Sequence, residues 1–492
     1  MEKKNSSYNQ ILKSTSIFGG SQILIILIGV IRNKMIAVLL GPVGVGIIGI
    51  YNSVIEMIRS AGGLGMDTTG VKEIAEADSS GDKEVLFKTV TRFNKWFRVM
   101  ALCGALACLI FSYPISVWAF EDGRFTFYIA CLSVCVFLAI LTMGRSSILQ
   151  GMRRIPEMAK SAFLGSFFGL LISIPVYLLF GLDGILPAFV FSSLFSFLCV
   201  EFYYRKLYLK KSDISNKEAF ESGLKTLKLG LFIVVAGFIG TASMFLVRTF
   251  VSRSIDIDAA GLFQSAWVIT NVYLSLILRS MGSDFFPRLS AIAGEGGKVK
   301  KLVNEQSYII LVVASPIIVG MLLFAGFALS VLYSSEFGHA DAVLRWQVLG
   351  TFFKVLCWPV AFIMLAKNKG TAFLATEIIF YLVYLLSGYL LFPKYGLEAT
   401  GMGYLIAYIV YLPVVFIVGK TISGFTWDSN IIKMTVINML FIGIAFYIAQ
   451  YYAGGYGLLL GTGILAISLV YAYIKLKKVF SIAELRDWFG KK

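Results

Sequence analysis

Lys354 stands near the middle of RWQVLGTFFKVLCWPVAFIMLAKNKG, which runs from Arg345 to Gly370. The stretch is otherwise long and apolar enough to cross a bilayer. Asp341 lies thirteen residues before the lysine and Lys367 thirteen after it. At about 1.5 Å per helical residue, its backbone is roughly 20 Å from either of those charges. An ionisable group so placed costs about 2.5–3.5 kcal/mol on insertion scales and usually faces a polar interior. Other ionisable groups inside apolar runs are Arg32, Glu56, Arg59, Arg248, Arg279 and Glu377. Cations in a water-poor cavity suit phosphate, arginine through paired N–H groups and lysine as a point charge. For the carboxylates Glu56 and Glu377, two readings stand side by side: carriers of a coupling proton or sodium ion, or structural partners of nearby cations. Lys354 likewise either meets an anion or pairs with Glu377 on the following helix. Arg59 and Arg279 lie within two turns of the cytoplasmic helix end, so snorkelling to the interface is the first reading for them and a place in the polar interior the second.

The elements that carry these groups are set by hydropathy. Of 492 residues 58% are hydrophobic and 15% charged, and apolar runs of about twenty residues recur, each long enough for about 30 Å of hydrocarbon. No period-two alternation marks an outer-membrane barrel. The chain therefore reads as an all-α polytopic membrane protein. Its fourteen expected spans lie near 13–40, 43–66, 93–118, 125–148, 158–180, 184–204, 226–252, 258–283, 305–334, 341–366, 370–392, 397–419, 431–450 and 455–475. Lys and Arg crowd the connections after the even-numbered spans, as in Arg153-Arg154, Lys210-Lys211 and Lys300-Lys301. The opposite connections are short and hold mainly acids, such as Glu121-Asp122 and Glu336. That asymmetry places both termini and every even connection in the cytoplasm, and it accounts for the net charge of +16 without nucleic acid.

The chain repeats itself. Arg32 in GVIRNK precedes Arg248 in FLVRTF by 216 residues, and Gly46 precedes Gly261 by 215. Gly181-Leu182-Asp183 recurs as Gly396-Leu397-Glu398, and QGMRR after the fourth span answers AKNKG after the tenth. The expected domains are an N-terminal six-helix bundle (1–212), a C-terminal six-helix bundle (213–425) and accessory helices 13–14 with a tail (426–492). An even number of spans per copy makes the repeats parallel, with a central cavity that opens alternately to the two sides. Arg32 and Arg248, at equivalent places, would both face it. Asn52, Gln264, Asn271 and Gln347 either hydrogen-bond substrate hydroxyls or bridge helices. Trp267, Tyr273, Trp346, Trp358, Tyr381 and Tyr384 offer flat faces for sugar rings, or pack as core.

Other chemistries find little footing. The six cysteines sit in apolar segments far from the single histidine, His339, so no metal, cofactor or catalytic thiol is expected. GEGGK at 294–298 lacks the spacing of a phosphate loop. Glu121-Asp122 is the one acidic pair that an enzyme reading (glycosyltransferase, polymerase or ligase) would use, and no sizeable outer domain accompanies it. The apolar stretch after MEKKNSSYNQILKST runs on into membrane sequence without a small-residue cleavage site, so no cleaved leader is expected. Gly165-xxx-Gly169 and Gly237-xx-Gly240 are sites of close helix approach.

WQVLGTFFKVLCWPVAFIMLAK, DFFPRLS, GLFQ and SSEFGHADAVLRWQ together resemble Wzx-type O-antigen flippases of the multidrug/oligosaccharidyl-lipid/polysaccharide (MOP) exporter superfamily, close to those for the enterobacterial common antigen lipid. The resemblance covers about residues 10–420. It implies a MATE-like fold and a substrate of undecaprenyl diphosphate carrying an oligosaccharide, flipped from the cytoplasmic to the periplasmic leaflet of the bacterial inner membrane. It supports Arg248, Trp346, Gln347, Lys354, Lys367 and Glu377 as site residues, and Arg32 as a cation at a place where relatives also have one. The implied partners, besides the lipid bilayer, are the polysaccharide polymerase and chain-length machinery. Spans 13 and 14 depart from the twelve-span pattern. The rival within the fold is a cation or drug antiporter, whose cavity should be acidic or apolar.

Overall fold

A computed structural model describes the backbone of residues 2–63, 65–210, 212, 216–452 and 455–477. It describes their side chains except at 2–23, 67–68, 216–231, 233, 272–277, 279–280, 283–284 and 455. The described residues are almost wholly helical and contain no strand. Packing divides the chain into two compact units that meet in sequence at Gly261 and Leu262.

The first unit holds α1 (Glu2–Gly63), α2 (Met66–Ser79), α3 (Lys83–Ile110), α4 (Ser112–Phe120), α5 (Thr126–Gly151), α6 (Ile155–Phe180), α7 (Ile185–Arg205), α8 (Asn216–Ser254) and the start of α9 (Ile257–Val268). α1 is two spans in one. Gly41 breaks it with φ 63° and ψ −167°, a region essentially closed to residues with a Cβ, and Pro42 restarts the helix without needing an N–H donor. α6 lies close on α7 because Gly165 and Gly169 leave room. A Cβ on Gly165 would stand 3.0 Å from the Ser196 Cα, and one on Gly169 3.3 Å from the Ser192 Oγ. The landmark glycines of the repeat come together here as well. A Cβ on Gly46 would lie 2.3 Å from the Ile257 carbonyl oxygen, and one on Gly261 2.0 Å from that of Pro42, so α1 and α9 touch backbone to backbone.

The second unit continues α9 through a π-helical turn, Ile269–Leu274, into α10 (Ser275–Ala291). It then holds α11 (Gly296–Leu323), α12 (Ala325–Leu332), α13 (Asp341–Ala366), α14 (Gly370–Tyr395), α15 (Glu398–Ser423), α16 (Ser429–Tyr451) and α17 (Gly455–Lys477). α16 and α17 both pack on α11. Asn304 fixes the approach to α16: its Nδ2 donates to the Thr426 carbonyl (3.0 Å) and its Oδ1 accepts from the Asp428 N–H (2.9 Å). Ile432, Val436, Leu440 and Ile444, spaced four apart, are exposed along α16, a stripe that suits lipid.

Among the described residues, eleven helical stretches are long and apolar enough to cross a membrane. Two of them are double, Leu24–Gly63 through the Gly41 break and Ile155–Arg205 through the turn Gly181–Gly184. The remaining expected span, 258–283, corresponds to α9–α10. The duplication is visible in the backbone. α5 and α6 have the same lengths as α13 and α14, displaced by 215 positions at all four ends. Arg153 (φ 56°) and Asn368 (φ 54°) are equivalent left-handed residues, and Gly181 (φ 55°) matches Gly396 (φ 52°). The turn bonds recur too: Arg154 N–H to Leu149 carbonyl and Lys369 N–H to Met364 carbonyl are both 2.8 Å.

Candidate functional site

In the first unit a cavity of about 630 Å³ opens among α1, α5 and α7. α1 contributes Arg32 before the Gly41 break and Asn52, Glu56 and Arg59 after it. Six hydroxyls share the lining with apolar side chains such as Ile55 and Phe189: Thr142, Ser146 and Ser147 on α5 and Ser192, Ser193 and Ser196 on α7. The serines that face Gly165 and Gly169 thus also face the cavity, so the small-residue contact brings hydroxyls to its wall. Arg59 donates twice to Glu56 Oε2, from Nη2 at 2.5 Å and from Nε at 3.1 Å. That pair is close to neutral. Arg32 has no ion-pair partner among the described residues, so it supplies the cavity's net positive charge. A lone guanidinium among hydroxyls suits a ligand with both an anionic group and sugar hydroxyls.

The second unit gathers its polar groups around Asn271, on the π-helical turn. A π turn places one extra residue in the helix and often marks a functional position. Asn271 Oδ1 accepts from Lys354 Nζ at 2.9 Å and from the Tyr404 hydroxyl at 3.2 Å. The adjacent Thr270 donates to Gln347 Oε1 at 3.1 Å, and Gln347 is fully buried. Asn271 Nδ2 and Gln347 Nε2 are buried donors without an acceptor among the described residues. Glu377 lies within electrostatic reach of Lys354 and accepts from the Tyr411 hydroxyl at 2.8 Å. The ammonium at mid-helix is therefore held in a ring of amides and phenols, where a charge and unused donors collect beside an apolar aromatic wall. Phe380 centres that wall, against Tyr408 at 4.5 Å and Tyr411 at 5.5 Å.

The expected residues divide between these places. Arg32, Glu56 and Arg59 line the first-unit cavity. Lys354, Gln347 and Glu377 belong to the cluster around Asn271. Arg248, the repeat equivalent of Arg32, is 7% exposed and donates to Ser53 Oγ at 2.7 Å. Trp346 turns away from Lys354, donating to Glu398 Oε2 at 3.3 Å and packing on Phe446 at 4.8 Å. Lys367 caps the C-terminus of α13 and lines a separate cavity of about 600 Å³ with Lys369 and Thr421. The side chains of Arg279 and Tyr273 lie outside the described residues. Trp267, Trp358, Tyr381 and Tyr384 pack against other rings, as Trp267 does edge-on against Tyr404 at 5.7 Å. The cysteines are free thiols, with Cys108, Cys135 and Cys357 buried.

One charged network went unread in the sequence. Arg145 and Glu201, each near a span end where charges are ordinary, pair at 2.6 Å across 56 residues. No periodicity within one helix reveals such a pair. Its only signal in the sequence is a carboxylate four residues before Arg205.

These features define an α-helical multi-pass membrane protein with polar clusters inside each unit. Solved structures share its fold. The lipid II flippase MurJ in an inward closed conformation matches with a TM-score of 0.71 and 14% identity, over 94% of this chain and 98% of that one. An inward-facing MATE family multidrug transporter of the MOP superfamily matches with a TM-score of 0.67 and 20% identity, over 81% and 95%. At 94% coverage the first match extends into residues 426–492, the accessory pair.

The chain belongs to the polysaccharide biosynthesis protein family, whose family model matches residues 35–341. It is 22% identical over 397 residues to the lipid III flippase of Escherichia coli K12, covering 78% of this chain and 92% of the relative. It is 26% identical over 387 residues to an O-antigen transporter of Shigella flexneri, covering 75% and 88%.

Proposed function

We propose that this protein is a flippase that moves an oligosaccharide linked to a polyprenyl diphosphate from the cytoplasmic to the periplasmic leaflet of a bacterial inner membrane. The observation that carries the reading is that each unit keeps a cation within an apolar span beside neutral hydrogen-bonding groups, Arg32 in a cavity lined with serines and Lys354 on Asn271. A diphosphate cannot enter hydrocarbon unneutralised, whereas a cation among hydroxyls and amides lets it cross while its lipid tail stays in the bilayer. The relatives named for lipid III and O-antigen transport support the same substrate class.

In this reading the halves 1–212 and 213–425 alternate access, α16 and α17 within the accessory segment 426–492 brace the second, and both termini are cytoplasmic, as the basic even connections favour. Arg32, Arg59, Arg248, Arg279, Lys354, Trp346, Gln347 and Lys367 are the candidate substrate-binding residues. Glu56 and Glu377 are the candidates for ion coupling, and the polymerase and chain-length machinery receive the product. Catalysis is not assigned to any residue.

The test is deletion followed by mass spectrometry of the accumulated carrier-linked glycan, with complementation by variants. Arg32→Ala and Lys354→Ala should each lower surface glycan at least tenfold and raise the carrier-linked intermediate, at unchanged membrane abundance. Normal surface glycan in both variants would overturn the proposal. Export of cationic dyes that depends on Glu377 would instead favour the antiporter reading.

A further inference from the structure

A second, differently built cavity lies in the first unit where the basic ends of α3, α5 and α7 converge. It measures about 750 Å³ and faces four cations, Lys95, Arg98, Arg145 and Arg205, against one carboxylate, Glu201. The carboxylate is already committed on both oxygens: Oε2 accepts from Arg145 Nε at 2.6 Å and Oε1 from Arg205 Nε at 2.9 Å. Arg145 also donates through Nη1 to Asn94 Oδ1 and lies 4.1 Å over the Tyr204 ring. Asn94 Nδ2 in turn donates to the Tyr204 hydroxyl at 2.7 Å. The side chains of Arg145 and Glu201 are only 11% and 13% exposed. The floor is thus a guanidinium fixed in position, with the rim cations left in excess over the single acid.

The duplication shows that the fold does not need the buried Arg145–Glu201 pair. At the equivalent places in the second copy, 213 positions on for α3 and 215 for α5 and α7, stand Ser307 for Asn94, Tyr308 for Lys95, Leu311 for Arg98, Val360 for Arg145 and Phe416 for Glu201, while Lys420 keeps the charge of Arg205. Leu311 and Val360 are buried core there, at 1% and 0% exposure. Where the first copy holds Arg98, Arg145 and Glu201, the second copy therefore carries Leu, Val and Phe, the cheaper solution where no charge has to be recognised.

The surroundings say where the recognised group comes from. Lys206 sits over the rings of Phe202 at 4.2 Å and Tyr203 at 5.5 Å on the same helix end; Phe202 is exposed, and so is Tyr208, which lines the cavity. Aromatic rings with basic residues at one end of a span mark the membrane–water interface. Basic pockets between helices at that depth take lipid headgroups.

We infer that the Lys95–Arg98–Arg145–Arg205 cavity is a binding site for the phosphate of an anionic amphiphile at the membrane surface, separate from the Arg32 and Lys354 clusters. Arg145 supplies the oriented donor and the rim lysine and arginines the field. The site does not rest on the transport reading.

The experiment uses purified full-length protein. Native mass spectrometry would follow retention of added phosphatidylglycerol against phosphatidylcholine, with inorganic diphosphate as a lipid-free arm. Variants are Lys95→Gln/Arg98→Gln, which keeps the Arg145–Glu201 floor, and Arg145→Lys, which keeps charge but loses the planar fork; circular dichroism confirms folding of each. Selective phosphatidylglycerol retention that falls roughly 10- to 30-fold in the rim variant supports the site with a lipid phosphate as ligand. Diphosphate binding that is lost in the same variant supports the phosphate site with a soluble source. Equal retention of both lipids and no diphosphate binding, or retention unchanged in the folded rim variant, overturns it.

Discussion

Lys354 and Asn271 illustrate how a charge survives inside an apolar helix. The asparagine oxygen takes the ammonium and the Tyr404 hydroxyl together, so Asn271→Leu, branched at the same atom, would remove an acceptor that both share. That substitution should destabilise the purified protein by about 1–3 kcal/mol as read by thermal unfolding. Lys354→Met in the same background should recover part of the loss, because it removes a buried charge that has lost a hydrogen-bond acceptor. No recovery would mean that the lysine is held chiefly by other groups. Lys354→Arg should keep surface glycan well above Lys354→Ala while remaining below the parent, since a planar fork fills the Asn271 niche poorly. Single charges of this kind were legible in the sequence because each stands alone in an apolar run. The partners that hold them were not. Asn271 looked like any helix-bridging amide, and Arg145 with Glu201 looked like interface charges, because pairing across 56 or 83 residues leaves no trace in local spacing.

The helices were legible from hydropathy almost end to end, since fixed bilayer thickness demands runs of similar length. Less legible was how α1 turns from one span to the next without leaving the helix, a matter of one glycine's dihedrals. Gly41→Ala should cost about 1–3 kcal/mol in thermal stability, and an unchanged transition would argue against the break at that residue. The turns between α5 and α6 and between α13 and α14 make the converse case. Arg153→Gly should stabilise by up to about 1 kcal/mol and Asn368→Gly by less, because asparagine tolerates the left-handed region better than arginine does. Measured melting shifts in the order Arg153→Gly above Asn368→Gly check this. The close approach of α1 and α9 was only hinted at by the matched glycines; that they meet each other depends on tertiary packing that the offset does not encode.

For the molecule as a whole, orientation is the property the charge pattern speaks to most directly. With the native cysteines replaced, Ser80→Cys, in the exposed turn between α2 and α3 that belongs to the connection after the second span, should label with an impermeant maleimide only after the inner membrane is opened. Ser335→Cys, in the exposed acidic turn before α13, should label in intact cells with a permeable outer membrane. The reverse pattern would invert the proposed direction of flipping. The duplicated architecture offers another handle. Residues 126–180 and 341–395 begin, turn and end at matching steps, down to the left-handed residue between the two helices of each pair. These segments are interchangeable cassettes as far as the main chain is concerned. Exchanging them leaves no insertion to accommodate, so a protein carrying one cassette twice would ask which specificities live in side chains alone.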